Sequence, residues 1–317
     1  MNRRMRGRGN RGRKPLKRGG AETRGGLVLL LCVLQASVMH AGESGAARGF
    51  EEVYKRAEMK FESAVFFKPV ETNTEALKFK LAPLIMQEGV GTGEANAKPG
   101  FGAVTVSNGA PVLDLAQPAL YVSADSVHVN GKAHARFTYV WVYDLAGEKR
   151  MGLAGTLALP GRFALPVAMQ GVRMTLNKDG QPGIWEVLAD GSGARVVFVS
   201  ASVEAAALAE FGQPLARRRY AVERGVEEAP NVVVARVIDD GPMPMGPIVH
   251  VRASDYSVST LICRCMAVQV KKLSGTETYA LASWDETALA MSRRGAVFWP
   301  GEKSDELEAL LRVPRVF

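Results

Sequence analysis

The chain is poor in the side chains that bind metals or react as thiols. It contains 3 cysteine and 4 histidine residues among 317. Cys32 and His40 lie in the first 41 residues, which leaves these five in the rest of the chain: His128, His134, His250, Cys263 and Cys265. A zinc-type site needs three or four ligands from one neighbourhood. Few combinations of these residues could provide them.

Several sequence patterns typical of enzymes and membrane proteins are also missing. No Gly-x-Ser-x-Gly segment and no Gly-x-x-x-x-Gly-Lys segment occurs, which argues against a nucleophile-elbow hydrolase and a phosphate-binding loop. No stretch after the first 41 residues approaches the roughly 18 apolar residues of a membrane span. No internal repeat of fixed period is present, which argues against propellers and solenoids.

The first 41 residues have the three parts of a secretory signal. A basic segment is followed by the apolar run Leu27–Leu34 and then by small residues near Ala41 and Ala46. This pattern predicts export to the periplasm or the exterior, with cleavage after Ala41 or as late as Ala46. Three other interpretations explain less of the pattern: a twin-arginine start at Arg3-Arg4, a lipidated Cys32 and an RNA-binding tail at Arg6–Arg13.

The positive charge of the chain belongs to this leader. The formal net charge is +8, and residues 1–26 contain ten Lys and Arg residues against one Glu, so the remainder carries about −1. A basic surface is the electrostatic mark of a nucleic-acid partner. We therefore expect the mature body to bind no nucleic acid and to have no transmembrane span, with an envelope protein as a candidate partner.

The body divides into three parts by pattern. Residues 47–88 contain an amphipathic helix over 47–66, with apolar residues at spacings of three and four, and a strand at Leu77–Leu81, where apolar residues alternate. Residues 89–102 are rich in glycine and predict a loop or linker. Residues 103–317 predict a strand-rich body.

Within that body, turn residues separate the predicted strands. Asn130-Gly131 predicts a two-residue hairpin, and Asn177–Gly180 predicts a further turn. A helix is predicted from about Ser202 to Phe211, with Ser200 or Ser202 as N-cap and Gly212 as its end, and a short helix over 305–312. Strands are expected near 231–238, 247–252, 258–270 and 277–282. The sum predicts an α+β fold, mostly antiparallel β with a few helices.

Cys263-Arg264-Cys265 is the local feature of most chemical interest. Positions i and i+2 of a strand share a face, so both sulfur atoms are expected to emerge beside Leu261. Four interpretations stay open: small core side chains, a strained disulfide, a pair of soft metal ligands and a redox pair. His250 could add a third metal ligand if its strand neighbours that of the cysteines.

Two further arrangements are weaker candidates for a metal site. If Asn130-Gly131 forms a two-residue turn, His128 pairs with Ala133 and His134 with Val127, which places the two histidines on opposite faces. The segment from Thr175 to Glu186 has part of the spacing of a calcium loop, but a plain hairpin turn explains it better. We predict no cofactor and assign no catalytic residue.

Three segments, Ala229–Arg236, Gly241–Pro247 and Thr260–Met266, resemble uncharacterised exported bacterial proteins. The resemblance implies a bacterial envelope setting and no functional residue. The sequence thus favours a non-catalytic binding or structural component of the envelope. The alternative is a thiol or soft-metal protein using Cys263 and Cys265, and a hydrolase with dispersed carboxylates has no positive support.

Overall fold

The computed structural model describes much of the body of the chain. The described residues are 65–70, 76–88, 100–107, 110–144, 167–188, 195–225, 232–241, 244–253, 256–265, 276–284 and 307–317. All of them belong to one compact unit, Tyr54–Phe317. The leader, most of the helix expected over 47–66, and residues 89–99 of the expected loop lie outside them. Among the described residues, no helix is long and apolar enough to cross a membrane.

Thirteen strands and three short helices form the described fold. The strands, in chain order, are β1 Val65–Pro69, β2 Leu84–Gln87, β3 Ala103–Ser107, β4 Ala110–Asp114, β5 Ala119–Val129, β6 Lys132–Asp144, β7 Val167–Leu176, β8 Pro182–Leu188, β9 Arg195–Ser200, β10 Val232–Ile238, β11 Gly246–Val251, β12 Val258–Cys265 and β13 Thr276–Ser283. The helices are α1 Leu77–Lys80, α2 Ala201–Phe211 and α3 Leu307–Leu310.

The predicted α+β class is wrong, because the fold is nearly all β. Strands account for 56% of the described residues and helices for 13%. Two of the three helices are single turns, and only α2 is long enough to bury a stripe of side chains. The described helices connect or cover strands and form no layer of their own. An α+β architecture requires such a layer.

Eleven of the strands form one mixed sheet, and β3 and β4 pair separately. The sheet order is β10-β9-β8-β7-β6-β5-β13-β1-β2-β11-β12. Four of its ten neighbouring pairs are parallel: β10 with β9, β5 with β13, β13 with β1, and β2 with β11. The hairpin turns predicted the antiparallel run from β5 to β9. Of the parallel pairs, β9 and β10 are joined by a crossover that contains α2, whereas the other three join strands far apart in sequence and leave no local signal.

The sheet curls, so that strands distant in its order share one interior. Tyr143 on β6 stacks on Tyr256, between β11 and β12, with ring centroids 4.3 Å apart. At the two edges, the Arg236 guanidinium on β10 donates a hydrogen bond to the Leu261 carbonyl on β12. Ten aromatic side chains lie in the interior cluster: Phe67, Phe101, Phe137, Tyr139, Trp141, Tyr143, Trp185, Phe198, Tyr256 and Tyr279. Burial of such side chains is the main stabilising contribution, about 1.5–3 kcal/mol each.

Two smaller apolar clusters lie on the outer face of the sheet. The β3–β4 hairpin covers one of them, where Tyr121 accepts a hydrogen bond from the Val104 amide. Helix α2 and the segment 307–317 cover the other, where the Phe317 ring lies against His134. The outer face is therefore apolar where other elements cover it.

Two local predictions near β1 and β2 are wrong. Val65 and Phe66, expected at the end of a helix, begin strand β1 and pair with Gln87 and Met86. Leu77–Leu81, expected as a strand, contains the one-turn helix α1, whose Lys78 carbonyl accepts a hydrogen bond from the buried Tyr139 hydroxyl. Alternation over five residues gives only a weak preference for a strand. This tertiary contact and the burial of neighbouring residues therefore decide the conformation.

Several turn and cap predictions are confirmed. Asn130 and Gly131 both have positive φ, 50° and 74°, as a two-residue hairpin turn of this type requires. His128 pairs with Ala133 and His134 with Val127, as that register predicts. Ser200 caps α2 by accepting from the Val203 amide, and the helix ends before Gly212.

Candidate functional site

Three strands meet where β2 and β11 end and β12 begins. Gln87, the last residue of β2, pairs with Val251, the last residue of β11, and Val251 pairs with Val258 at the start of β12. The Glu88 amide continues the ladder by donating to the Val251 carbonyl at 3.0 Å. Polar side chains gather on both faces of the sheet at this point, and we consider each face in turn.

On the outer face, His250 lies between a hydroxyl and a carboxylate, which we call the outer cluster (Glu88, His250 and Ser259). Val249 and Val251 point into the interior cluster, so strand alternation turns His250 outward. His250 Nδ1 lies 2.9 Å from Ser259 Oγ. Its Nε2 lies 3.1 Å from Glu88 Oε1, an ion-pair distance without the alignment of a hydrogen bond.

The pKa of His250 is lowered from its ordinary value of 6.5. Burial is the main cause, because it disfavours the charged imidazolium, and the positive charge of Arg252 acts in the same direction. The charge of Glu88 opposes both. A neutral imidazole at pH 7 can accept the Ser259 proton at Nδ1 while Nε2–H faces the carboxylate.

The outer cluster has the composition of a catalytic triad, but its hydroxyl is not committed to the imidazole. Ser259 Oγ also lies 3.2 Å from the carbonyl oxygen of His250 itself, so one proton has two acceptors. Glu88 in turn accepts from the Ala253 amide at 3.3 Å. These contacts connect β2, β11 and β12, and we interpret them as a polar tie between strands.

The turn from β11 to β12 is fixed by its own hydrogen bonds. The Arg252 guanidinium donates to Ser257 Oγ, and the backbones of the same two residues bond at 3.0 Å. Tyr256 has a φ of 55°, in the left-handed region that a bulky residue seldom adopts. Its ring stacks on Tyr143, so the interior packing holds this unusual conformation in place.

On the inner face, two glutamine side chains are buried, and we call them the inner amides (Gln87 and Gln170). Gln87 is 0% exposed and Gln170 is 2% exposed. Among the residues that the structure describes, neither polar amide atom of Gln87 forms a hydrogen bond, and Gln170 Oε1 has no partner. Buried polar groups are nearly always paired, because an unpaired one costs roughly 1–3 kcal/mol.

At the predicted cysteine site, the structure describes the backbone and its strand pairing but not the side chains. Cys263 and Cys265 occupy the last residues of β12, and Cys265 pairs with Gly246 on β11, while their side chains lie outside the described residues. The register shifts between the Arg264 and Leu261 pairs, so strict alternation does not hold along this stretch. Whether the cysteines form a disulfide or bind a metal therefore remains a prediction.

His250 does lie on the strand next to the cysteines, as the three-ligand hypothesis requires, but it pairs with Thr260. Its ring nitrogens contact Ser259 and Glu88. Across the described residues, no group of three His, Cys, Asp or Glu side chains could hold a metal ion. The metal hypothesis thus depends on the two cysteines.

The weaker metal candidates have structural roles. His134 is buried and its Nδ1 lies 3.0 Å from the Leu176 carbonyl, while His128 is exposed on the opposite face. Asn177 Oδ1 accepts from the amides of Asp179 and Gln181, which makes the calcium-like segment a hairpin turn. Glu186, at its far end, pairs with Arg173 and Arg195.

The sequence predictions missed the inner amides, Glu88 and Ser259. A glutamine at the end of the apolar run Leu84–Met86 was the available signal for Gln87, since a strand buried on both faces gives such a run. The other residues carried no signal, because the sheet order that assembles them is nonlocal. A comparison of the chain with known protein families, curated proteins and solved structures found no match.

Proposed function

We propose that the chain is an exported, non-catalytic protein of the cell envelope with a binding or structural role. The observation that carries the binding role is the pair of buried inner amides, whose side-chain oxygens find no partner among the described residues, on a face lined mainly by aromatic and aliphatic side chains. Export is supported by the leader pattern. The outer cluster supports a non-catalytic role, because the Ser259 hydroxyl, which a catalytic triad would commit to the imidazole, also lies 3.2 Å from the His250 carbonyl oxygen.

Fractionation of cells expressing the full chain tests the export proposal. We expect the protein in the periplasm or medium, with a mass reduced from 34.1 kDa by loss of the first 41 to 46 residues. Leu30→Arg interrupts the apolar run and should leave an unprocessed protein in the cytoplasm. Leu115→Arg, at an exposed position of the body, is the matched control and should be exported normally. Full-length wild-type protein found only in the cytoplasm would refute export.

A thiol or soft-metal function at Cys263 and Cys265 is the second candidate. It is favoured by their position at the end of an edge strand that neighbours the His250 strand. Thiol counting with and without reductant, together with elemental analysis of the mature protein, tests it. Either one reducible disulfide or a stoichiometric metal that Cys263→Ser removes is expected. Two reduced thiols with no metal would end this hypothesis.

A further inference from the structure

The loop that follows helix α2 presents three consecutive arginines, Arg217–Arg219. Arg217 and Arg219 are exposed, and Arg218 is half-buried. The backbone of Arg217 has a φ of 65°, and the Arg218 amide donates to the Leu215 carbonyl at 2.9 Å. The three arginines therefore lie on a turn of defined conformation.

Two carboxylates that contact this loop bind its backbone amides and not its guanidinium groups. Glu204, on α2, accepts from the Ala221 amide at 2.7 Å. Glu223 accepts from the Arg219 amide at 2.6 Å. Among the described residues, no carboxylate pairs with the guanidinium group of any arginine in Arg217–Arg219. Their positive charges are therefore available to an anionic partner.

The segment 307–317 brings further arginines beside the end of α2. The Arg312 guanidinium lies over the Phe211 ring, 4.6 Å from its centroid. Arg315, whose side chain is 87% exposed, lies 3.4 Å from Glu210. An ion pair at such exposure is weak, so it leaves the Arg315 charge accessible to a competing anion.

This part of the surface is positive although the body as a whole is not. Residues 201–225 and 307–317 contain six arginines and four glutamates, a net side-chain charge of +2, whereas all residues after 26 carry about −1. Three of the four glutamates accept from backbone amides: Glu204, Glu223 and Glu308. The net charge of the body therefore conceals a local excess of arginine.

Aliphatic side chains are exposed beside these arginines. Eight large hydrophobic side chains of the described residues are well exposed, and three of them lie here: Leu208, Leu215 and Val316. Val316 is the most exposed of the eight, at 57%, and directly follows Arg315. Exposed apolar groups next to cations are typical of surfaces that lie on anionic membranes.

This combination matches a bilayer surface better than a nucleic acid. Guanidinium groups donate to the phosphates of anionic lipids, and aliphatic side chains enter the boundary between headgroups and acyl chains. Single-stranded nucleic acids stack their bases on open aromatic rings. Here the Arg312 guanidinium already lies over Phe211. The Arg219 guanidinium lies over Tyr220, 5.2 Å from the ring centroid.

We propose that an arginine surface docks the protein on a bilayer that contains anionic phospholipid. The surface is defined by two arginine sites and three aliphatic side chains: Arg217–Arg219, Arg315, Leu208, Leu215 and Val316. The arginines bind lipid phosphates, and the aliphatic side chains enter the headgroup boundary. This inference goes beyond the proposed binding role and uses none of the inner amides.

Sedimentation with lipid vesicles tests the proposal. The leader is itself basic and apolar, so the processed protein is used, or the full chain with its variants compared at the same N-terminus. We expect binding to vesicles of phosphatidylcholine with phosphatidylglycerol, and much weaker binding to phosphatidylcholine alone. Added salt should release the protein, because it screens exposed charges.

Variants assign the binding to this surface. Arg217→Gln and Arg219→Gln should each weaken vesicle binding about fivefold, and the double variant about 25-fold. Lys78→Gln, which removes one exposed positive charge on α1, is the charge control and should bind as the wild type does. Val316→Gln should weaken binding at least about threefold at constant charge. Val112→Gln, at an exposed position of β4, is its matched control.

Four outcomes would overturn the proposal. The first two are an absence of binding to phosphatidylglycerol vesicles and equal binding by wild type and the double arginine variant. The third is tighter binding to single-stranded or duplex DNA than to vesicles through the same arginines, which would assign the surface to nucleic acid. The fourth is release by glycerol phosphate with no effect of Val316→Gln, which would assign it to a soluble phosphate. Circular dichroism of each variant separates loss of binding from loss of folding.

Discussion

The packing of Phe317 over Gly183 gives a quantitative test of the fold. Phe317 is buried, and its ring lies against His134 in the apolar cluster that α2 covers on the outer face of the sheet. A Cβ atom at Gly183 would lie 2.5 Å from Phe317 Cε2, and 3.2 Å from Val203 Cγ2. Gly183 thus has no side chain because the ring occupies that space.

Two substitutions and their combination measure this contact. Phe317→Ala removes a buried ring and should lower the free energy of unfolding by about 3–5 kcal/mol. Gly183→Ala forces the ring to move and should cost about 1–3 kcal/mol. In the Phe317→Ala background only the 3.2 Å approach to Val203 Cγ2 remains, so adding Gly183→Ala should cost much less. The coupling between the two sites then approaches the cost of Gly183→Ala alone, about 1–3 kcal/mol in favour of the double variant.

Urea unfolding at equilibrium, followed by circular dichroism and tryptophan fluorescence, provides the four free energies. The urea dependence should be the same in all four proteins, since each unfolds a similar surface. Strict additivity of the two substitutions would refute the reasoning, because it would mean that the Gly183 and Phe317 positions do not share one space. A Gly183→Ala variant as stable as wild type would refute it equally.

Three further predictions concern charge, backbone conformation and pH. Glu186→Gln leaves Arg173 partly buried without its bidentate partner and should cost about 3–5 kcal/mol in urea unfolding, whereas Glu210→Gln, whose partner is exposed, should cost less than about 1 kcal/mol. Equal costs would contradict this assignment. Gly131→Ala meets no atom within 4 Å, so its cost of about 1–2 kcal/mol comes from the positive φ alone, and a neutral result would contradict the turn type. The lowered pKa of His250 means that the unfolded chain takes up its proton first as pH falls, so stability present above pH 6.5 is lost below it; His250→Gln should reduce this loss, and an unchanged pH profile would contradict it.

The part of the fold that local signals encode was predictable from the sequence. Asn130-Gly131 fixed the register of β5 and β6, and therefore the opposite placement of His128 and His134. Ser200 and Gly212 marked the ends of α2 to within one or two residues. Each of these features depends on one or two residues and their own backbone conformation, which a sequence displays directly.

Two local predictions failed because each pattern covers only a few residues. The alternation at Leu77–Leu81 and the predicted helix over 305–312 both involve a few residues that the structure uses as single turns. In the second case, Leu311 pairs with Glu223 and the segment extends over the outer face. Docking against the sheet decides these conformations, and propensity over four or five residues is too weak to resist it.

The inner amides were hidden for a different reason. All four residues of β2 are buried, so the alternation that marks an inner and an outer face is absent from its sequence. Only the strands paired with β2 distinguish its two faces. Strand β1 ends 15 residues before β2 begins, and β11 begins about 160 residues after β2 ends. A glutamine on such a strand is therefore interpretable only once the sheet order is known. The same order assigns Gln87 to the interior and Glu88 to the His250 side, so two adjacent polar residues lie on opposite faces of the sheet.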